Sequence, residues 1–547
     1  MSFQPSEISR RRFMALSGAG AGSAMLALPR RAGSMRGPTI IPVKIGSETV
    51  HGLPRTQYGH FIEHVGKAIK GGVWAEGEGQ DMFMGGVRRE LLSAVRSINP
   101  ALIRYPGGCF ADGYHWKDGI GPREKRPLRK NRAWSKLGPR IGPVEDNRFG
   151  TDEFLELCEA VGAEPMITVN VGSGTPREAA EWVEYVNGSA SAGWGAERAK
   201  NGHPAPYNVK YWFVGNEIFG VHEIGHQDPA EYVKTFHKFA RAMRRVDPGI
   251  KLIAVGDHFP LGTGKADLNR TVLEGAGEEA DLLSIHQYVP GMSMDSFLRY
   301  SAGNLHQTGL KSVYYDVMGT LLHMEEFVNK CIRETRAYSP GKTVPLVLDE
   351  WNLWFDYLED LVQANYTLRD GVWTASMLNF LHRNAPVVPV ANITQMVNCL
   401  GIIVSDKRGT FLTPSALVYQ LYTEMAGEEL LHAKAEAPAV PHDSELPMLD
   451  ISATRSGNNL SLFMVNRHHR QMAGIKIVPE DMDIETRGEL RTIHHYNPVA
   501  KNTFSEPQEV GIKSRKVDLV NLTGPSHFSF IVPPHSVSCL SVRTKGP

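Results

Sequence analysis

The feature that most constrains the fold is a repeated alternation of short apolar segments with longer amphipathic ones. Eight segments have the length and composition of buried strands, at 58–64, 101–105, 165–171, 211–215, 251–255, 282–286, 346–349 and 388–395. Helical patterns separate most of them, at 87–97, 151–160, 176–186, 229–245, 321–337 and 366–382. Because strands joined through helices run parallel, this order predicts an α/β protein with a closed (β/α)8 barrel, the TIM-barrel fold.

A different sequence texture begins near residue 421. Segments such as 459–465, 516–520 and 527–532 are short and β-prone, with turn residues between them, which is typical of a β-sandwich. The 547 residues exceed one ordinary domain. They are enough for a barrel of about 250 residues or more and a smaller companion. We therefore predict a barrel over residues 53–420 and a C-terminal β-sandwich over residues 421–547.

Polar residues follow several strands at the end where a barrel of this kind carries its active site. The segment 211–215 runs into Asn216 and Glu217, and the segment 344–348 runs into Asp349 and Glu350. Two such glutamates face each other only in a closed or curved sheet, and a facing pair of carboxyl groups is what a glycosidase requires. Separate salt bridges at the barrel rim are the alternative. The other candidates at strand ends are Glu63, Arg104, His286, Tyr288 and Gln395.

The motifs around these residues are long and specific. Residues 58–64 (YGHFIEH), 104–108 (RYPGG), 113–122 (GYHWKDGIGP), 215–217 (GNE) and 349–352 (DEWN) resemble the α-L-arabinofuranosidases of glycoside hydrolase family 51. The likeness covers about residues 53–420. It implies a retaining enzyme whose acid/base follows the fourth barrel strand and whose nucleophile follows the seventh, the places of Glu217 and Glu350. It also implies that residues 38–52 form strands that join the C-terminal sandwich.

The same resemblance implies roles for the other polar residues at the strand ends. Sugar contacts are expected from Glu63, Asn216, His286, Tyr288 and Gln395. Arg104 is included among the substrate-binding residues, and it is also expected to keep the nucleophile ionised, because a neighbouring guanidinium lowers the pKa of a carboxyl group. Cys109 departs from the family, since many members carry Asn after the Pro-Gly-Gly turn. We include Cys109 among the substrate-binding residues, although a thiol bonds weakly to hydroxyls, and a small buried hydrophobe is the alternative.

A competing motif points to metal chemistry. Residues 222–226 match H-E-x-x-H, in which two histidines one helical turn apart bind zinc in metallopeptidases. Zinc binding of that kind requires a helix, whereas Gly225 interrupts the segment and Asp228-Pro229 has the sequence of a helix start. We therefore place the motif in a loop after the fourth strand, and we predict neither a metal nor another cofactor.

Charge and cysteine content argue against other partners. Lys+Arg and Asp+Glu each number 59, so no net charge favours nucleic acid or a membrane surface. The basic run at 123–140 is interpreted as a solvated loop, with polyanion binding or outer sugar subsites as alternatives. The five cysteines have no metal-type or redox-type spacing. The sequence leaves the oligomeric state open, with a homo-oligomer as one alternative.

The N-terminal segment has a character of its own. Arg10, Arg11 and Arg12 precede a weakly apolar stretch at 15–28 that is rich in Gly and Ala. The pattern resembles a bacterial twin-arginine export signal, and a disordered basic tail is the alternative. The stretch is too short for a stable membrane anchor. We therefore predict a leader over residues 1–37 and an exported protein, either periplasmic or extracellular.

These observations combine into one functional prediction. The chain is expected to be a retaining, exo-acting α-L-arabinofuranosidase, with Glu217 as acid/base and Glu350 as nucleophile. Its partner would be an arabinose-containing plant oligosaccharide or polysaccharide, from which it removes terminal arabinofuranosyl residues. A β-xylosidase or an endoglucanase with the same two-carboxylate mechanism is the alternative within this chemistry. A non-catalytic carbohydrate-binding protein is the alternative outside it.

Overall fold

Eight parallel strands close into the predicted barrel in the computed structural model. In chain order these strands are Gly59–Phe61, Leu102–Tyr105, Glu164–Val169, Tyr211–Val214, Lys251–Phe259, Leu282–Val289, Leu346–Leu353 and Val390–Ile393. Each strand pairs with the next one along the chain, and the eighth pairs with the first where Asn392 lies opposite Gly59. The prediction of a (β/α)8 barrel is confirmed, with Tyr211–Val214 as the fourth strand and Leu346–Leu353 as the seventh.

The structure describes residues 37–79, 81–135, 142–259, 267–290, 311–339, 341–355, 366–441, 445–519 and 529–545. The chain divides after Gly37 into two units, and all elements named here belong to the second. The predicted leader lies outside the described residues, apart from Gly37. In the part of the chain that is described, no helix combines the length and the apolar character needed to cross a bilayer.

The helices begin where the sequence supplies a start signal. Thr175 and Thr413 precede helices with proline at the first position, and each threonine side chain accepts a hydrogen bond from an N–H of the first turn. The helices of the described residues are Arg89–Ile98, Thr151–Val161, Pro176–Asn187, Gly193–Lys200, Pro229–Val246, Leu268–Ala276, Lys311–Tyr338, Leu368–Arg383 and Pro414–Met425. Three short antiparallel pairs of strands lie outside the barrel sheet. They are Met82–Phe83 with Val87–Arg88, Arg129–Lys130 with Val144–Glu145, and Ile403–Asp406 with Gly409–Leu412.

The C-terminal part is a sheet domain, as predicted from its texture. Its strands form one continuous nine-stranded sheet. The strand Thr39–Gly52 lies inside this sheet, antiparallel to Glu429–Ala435 and parallel to Ala473–Pro479. The remaining strands are Leu449–Ser456, Asn459–Asn466, Arg487–Ile493, Ile512–Asp518, Phe530–Val532 and Ser536–Arg543.

The helix Leu368–Arg383 joins the sheet to the barrel. Its residues are buried on every side up to His382, which is typical of a helix enclosed between two layers. Its polar side chains reach the sheet through Asn379, whose Nδ2 donates to Asp450 at 2.9 Å, and through His382, whose Nδ1 lies 2.7 Å from Ser452 Oγ. Because this helix connects the seventh and eighth strands, the sheet domain helps to fix the strand that carries Glu350.

Candidate active site

The carboxyl ends of the strands bring the two predicted glutamates together. Glu217 follows the fourth strand and has a positive φ of 28°, a conformation that is strained for a non-glycine residue. Glu350 lies within the seventh strand, directly opposite His286 of the sixth. One oxygen of Glu217, one oxygen of Glu350 and a ring nitrogen of His286 all lie within 4.8 Å of one another.

Glu350 is held by two donors. Arg104 Nη1 donates to Oε1 at 2.7 Å, and the Tyr288 hydroxyl donates to Oε2 at 2.7 Å. Burial raises the pKa of Glu350, while the positive charges of His286 and Arg104 act in the opposite direction. The donors occupy both oxygens and thereby fix the carboxylate in one orientation.

Arg104 contacts several of the polar residues of the site. Its side chain is fully buried, and Nη1 lies 2.6 Å from Asp349 Oδ2 as well as close to Glu350. Its Nη2 donates to Asn216 Oδ1 at 2.7 Å. The planar guanidinium therefore anchors residues from the fourth and seventh strands, a task to which its fixed fork of donors is suited. The contact between Arg104 and Asp349 was not predicted from the sequence.

Glu217 and His286 form a hydrogen-bonded pair, with Oε1 and Nδ1 2.8 Å apart. Burial raises the pKa of Glu217, but the hydrogen bond from His286 and nearby imidazole charges outweigh it and lower the pKa to about 2. Burial lowers the pKa of His286, but the negative charge of Glu350, the nearby carboxylate of Asp349 and the hydrogen bond to Glu217 raise it to about 10. At neutral pH the resting pair is an imidazolium and a carboxylate that share one transferable proton.

Glu63 lies two residues past the first strand and binds the turn after the second. Its Oε1 accepts hydrogen bonds from the N–H groups of Gly108 at 3.1 Å and Phe110 at 3.0 Å, and from Trp134 Nε1 at 3.1 Å. Gln395 Nε2 donates to Oε2 at 3.4 Å. Burial and the charge of Glu350 raise the pKa of Glu63 to about 8, against the effect of the donors. Trp134 had not been predicted as part of the site.

Two glycines let this turn pass between the carboxylates. Gly107 has a φ of 149°, and a Cβ there would lie 2.4 Å from Glu63 Cγ. A Cβ on Gly108 would lie 2.8 Å from Glu350 Oε1. Larger residues would displace both glutamates, so the glycines are required by close approach and, at Gly107, by backbone conformation. The turn delivers Cys109, which is partly exposed, to the side of the site that holds Glu217.

Asp112 ties the third strand to the fourth. Its Oδ1 accepts hydrogen bonds from the backbone N–H groups of Val171 at 2.9 Å and Gly172 at 3.1 Å, and its Oδ2 accepts from that of Asn216 at 3.1 Å. Burial and the charge of Glu223 raise the pKa of Asp112 well above its usual value. Asp112, which was not predicted from the sequence, positions the backbone directly before Glu217.

Several polar atoms of the site have no hydrogen-bond partner among the described residues. They include Asn216 Nδ2, a donor, and Gln395 Oε1, an acceptor, and both belong to buried residues. Buried polar atoms of this kind are costly unless a ligand or water satisfies them. The site therefore offers at least one donor and one acceptor to a hydroxylated ligand.

The H-E-x-x-H segment is a series of turns, and no helix forms over residues 222–226. His222 Nε2 lies 3.9 Å from Glu217 Oε2 and 3.4 Å from Glu223 Oε1. The metallopeptidase arrangement requires both histidines on one helix, so the segment does not have that geometry.

Acidic partners neutralise much of the basic run. Arg123 and Arg126 both pair with Glu153, at 2.8 and 2.9 Å, and Arg129 pairs with Asp118 at 2.7 Å. Residues 136–140 of the run lie outside the described part of the chain. The pairs fit the interpretation of a surface loop better than a site for a polyanion.

Comparisons with known proteins agree with this geometry. Two family models match the chain, the α-L-arabinofuranosidase 1 domain over residues 94–301 and the α-L-arabinofuranosidase C-terminal domain over residues 349–536. A relative from Bacteroides ovatus, named an intracellular exo-α-L-arabinofuranosidase, is 35% identical over 419 residues, which are 74% of this chain and 77% of the relative. A relative from Halalkalibacterium halodurans, named an intracellular exo-α-(1→5)-L-arabinofuranosidase, is 30% identical over 438 residues, which are 77% of this chain and 83% of the relative.

Solved structures show the same similarity. The α-L-arabinofuranosidase of Thermotoga maritima in complex with arabinose superposes with a TM-score of 0.80 at 32% identity, covering 92% of this chain and 100% of that chain. The family 51 arabinofuranosidase of Xanthomonas axonopodis pv. citri gives a TM-score of 0.80 at 26% identity, with the same coverage.

The comparisons overturn one prediction. The sequence predicted export to the periplasm or the outside, whereas the relatives from Bacteroides ovatus, Halalkalibacterium halodurans and Streptomyces lividans are all named intracellular enzymes. The twin-arginine resemblance rested on a short arginine cluster before a weakly apolar stretch, and such a local pattern is a less specific signal than matches over 419 and 438 residues. The functional prediction does not depend on it. By fold, motifs and relatives, the chain belongs to the α-L-arabinofuranosidases of glycoside hydrolase family 51.

Proposed function

We propose that the enzyme is retaining and exo-acting, with Glu350 as the nucleophile and Glu217 as the acid/base. The observation that carries this proposal is the approach of their carboxylate oxygens to within 4.8 Å. Retaining glycosidases hold their two carboxyl groups about 5 to 5.5 Å apart, whereas inverting enzymes leave about 6.5 to 9.5 Å for a water molecule. The short separation supports direct attack by a carboxylate on the anomeric carbon.

In the first step, an oxygen of Glu350 attacks the anomeric carbon while the bond to the leaving oxygen breaks. The proton for the leaving oxygen comes from the Glu217–His286 pair, in which it passes from Nδ1 to Oε1 along the 2.8 Å hydrogen bond. Arg104 and Tyr288 stabilise the carboxylate form of Glu350, so the nucleophile is ionised when it attacks.

In the second step, Glu217 takes a proton from water as the water oxygen attacks the same carbon and releases Glu350. The proton returns to the Glu217–His286 pair, and the site is restored. The roles of Glu217 as acid and then as base follow from the reversal of the first step.

Sugar binding uses the polar atoms that the protein leaves without partners. Asn216 Nδ2 and Gln395 Oε1 supply a donor and an acceptor for hydroxyl groups. Glu63 contacts Gln395, His286 contacts Glu217 and Tyr288 contacts Glu350, while Cys109 lies near Glu217, so we include these four residues among those that bind the sugar. The printed names of the Bacteroides and Halalkalibacterium relatives support exo-action, and the second supports an α-(1→5)-linked arabinose substrate. We propose arabinose-containing plant oligosaccharides or polysaccharides as the substrates.

The alternative of an endoglucanase has weaker support. A family 44 xyloglucanase from Paenibacillus polymyxa matches with a TM-score of 0.56 at 14% identity, a likeness that concerns the fold alone. The arabinofuranosidase structures fit better in both identity and superposition.

The test is the configuration of the first product. Hydrolysis of an aryl α-L-arabinofuranoside, followed by proton NMR from the first minutes, should show the α anomer before mutarotation. A matched panel of aryl β-xyloside and β-glucoside should react far more slowly. First release of the β anomer would overturn the retaining mechanism, and faster hydrolysis of the xyloside would overturn the substrate assignment.

A further inference from the structure

A second cluster of ligating groups contains Glu217 together with three residues that take no part in the two chemical steps. Cys109 Sγ, a nitrogen of His222 and oxygens of Glu217 and Glu223 all lie within 4.8 Å of one another. Three separate segments supply them: the turn after the second strand, the end of the fourth strand and the loop that follows it. The fold therefore brings a thiol, an imidazole and two carboxylates to one point.

Glu223 gives the independent indication that a ligand belongs here. Its side chain is 1% exposed, and its nearest basic contact is His222 Nε2 at 3.4 Å from Oε1. Within the described residues, neither carboxylate oxygen accepts a hydrogen bond of normal geometry. A buried carboxylate without well-formed hydrogen bonds carries a desolvation cost, which a bound cation would reduce.

The donor set selects the kind of cation. Thiolate, imidazole and carboxylate are the ligands of zinc and similar divalent ions, with bond lengths of about 2.0 to 2.3 Å in a tetrahedral arrangement. Calcium and magnesium prefer oxygen ligands alone. A tetrahedral ion would hold these ligand atoms closer together than 4.8 Å, and the side chain of His222 is 37% exposed.

We propose that Cys109, His222 and Glu223, with Glu217 as the fourth ligand, bind a zinc-type divalent cation that inhibits the enzyme. Binding releases the thiol proton of Cys109 to solvent, because the thiolate is the form that binds metal. The ion then occupies the carboxylate of Glu217 and the adjoining sugar space. Inhibition rests on the proposed role of Glu217, whereas cation binding does not.

This site is distinct from the one that the H-E-x-x-H pattern suggests. His222 belongs to the cluster and His226 does not. Cys109 supplies the thiolate. The proposed cation is an inhibitor, so its removal raises activity or leaves it unchanged.

Cobalt is a suitable probe because its spectrum reports the ligands. Co²⁺ added to the full-length protein should give a thiolate-to-cobalt charge-transfer band with one equivalent bound, and Zn²⁺ should displace it. The other four cysteines are buried, so the band reports Cys109. Cys109→Ser should lose the band, and His222→Gln should weaken binding tenfold or more. His226→Gln, in the same loop, is the matched control and should bind as the wild type does.

Activity provides the second readout. Zn²⁺ should inhibit hydrolysis of an aryl arabinofuranoside competitively, and a chelator should restore the rate. Thermal melts of the three variants check that each is folded. Absence of the cobalt band in the wild type, or equal cobalt affinity in His222→Gln and the control, would overturn the site. If no cation binds while the product retains its configuration, this inference fails and the proposed function stands. Cobalt binding without inhibition would overturn the inhibitory role.

Discussion

Removal of one hydroxyl from the site should change the pH dependence of catalysis by a calculable amount. The Tyr288 hydroxyl donates to Glu350 Oε2 at 2.7 Å, and the ring packs edge-on against Trp354 at 5.1 Å. Tyr288→Phe keeps the ring and removes the donor alone. The carboxylate of Glu350 then loses one of its two strong hydrogen bonds, and its protonated form becomes relatively more stable.

The expected size follows from the strength of a charge-assisted hydrogen bond. Such a bond contributes about 1.5 to 3 kcal/mol, and one pKa unit corresponds to about 1.4 kcal/mol. The pKa of Glu350, already raised by burial, should therefore rise by about one to two pH units more. Because the carboxylate is the nucleophile, activity exists above this pKa and is lost below it. The acid limb of kcat/KM should move to higher pH by the same amount.

The assay is the pH profile of kcat/KM on an aryl α-L-arabinofuranoside for the wild type and two variants. Tyr366→Phe is the matched control, since its buried hydroxyl donates to the carbonyls of Leu353 at 3.0 Å and Leu400 at 3.2 Å and not to a carboxylate. Its acid limb should stay in place. If Tyr288→Phe leaves the acid limb unmoved, or both variants move it equally, Glu350 is not the group that titrates there.

Three further results are expected. Glu217→Ala should largely spare the first step on substrates with acidic leaving groups but slow this step on natural arabinosides by a factor of about 10² to 10⁴. Azide should restore turnover of the activated substrate. Equal slowing of both substrates would show that Glu217 is not the acid/base. Arg104→Met should lower the free energy of unfolding by about 3 to 5 kcal/mol, because it leaves Asp349 and Glu350 buried without their cation. The control is Arg491→Met, at a partly exposed arginine, which should lower the free energy of unfolding by less than about 1 kcal/mol. Equal urea midpoints for the two variants would contradict this prediction. Incubation with a chelator should not reduce turnover, and a loss that zinc alone restores would contradict a mechanism without a metal.

Much of the fold could be predicted because the barrel strands are locally distinctive. Strands buried on both faces are near-continuous apolar runs, so their positions follow from short segments. The prediction that Glu217 and Glu350 face each other followed from the closure of the barrel and did not require the positions of their side chains. The end of the seventh strand could not be predicted from the sequence, because Asp349 and Glu350 directly follow an apolar run and so resemble the residues at which a strand stops. The strand continues to Leu353, since Arg104 compensates both carboxylates inside the barrel.

The residues that the sequence did not reveal act through long-range contacts. Asp112 lies in a short 3-10 turn, and its hydrogen bonds to the third and fourth strands depend on how these strands lie in space. Trp134 comes from a loop with no periodic pattern and reaches Glu63 only after the chain has folded. Cys109 and Glu223 also come together only through the fold, since the residues next to each of them in the sequence do not indicate this contact.

The central claim is that Glu350 forms a covalent bond to the sugar, and it can be tested directly. Glu217→Ala, mixed with an aryl α-L-arabinofuranoside of an acidic leaving group, should accumulate the glycosyl-enzyme because the second step lacks its base. Rapid acid quench, proteolysis and peptide mass spectrometry should then find a pentosyl group on the peptide that contains Glu350, attached at that residue. A pentosyl group on any other carboxylate, or steady turnover that yields the β anomer as first product, would contradict the account.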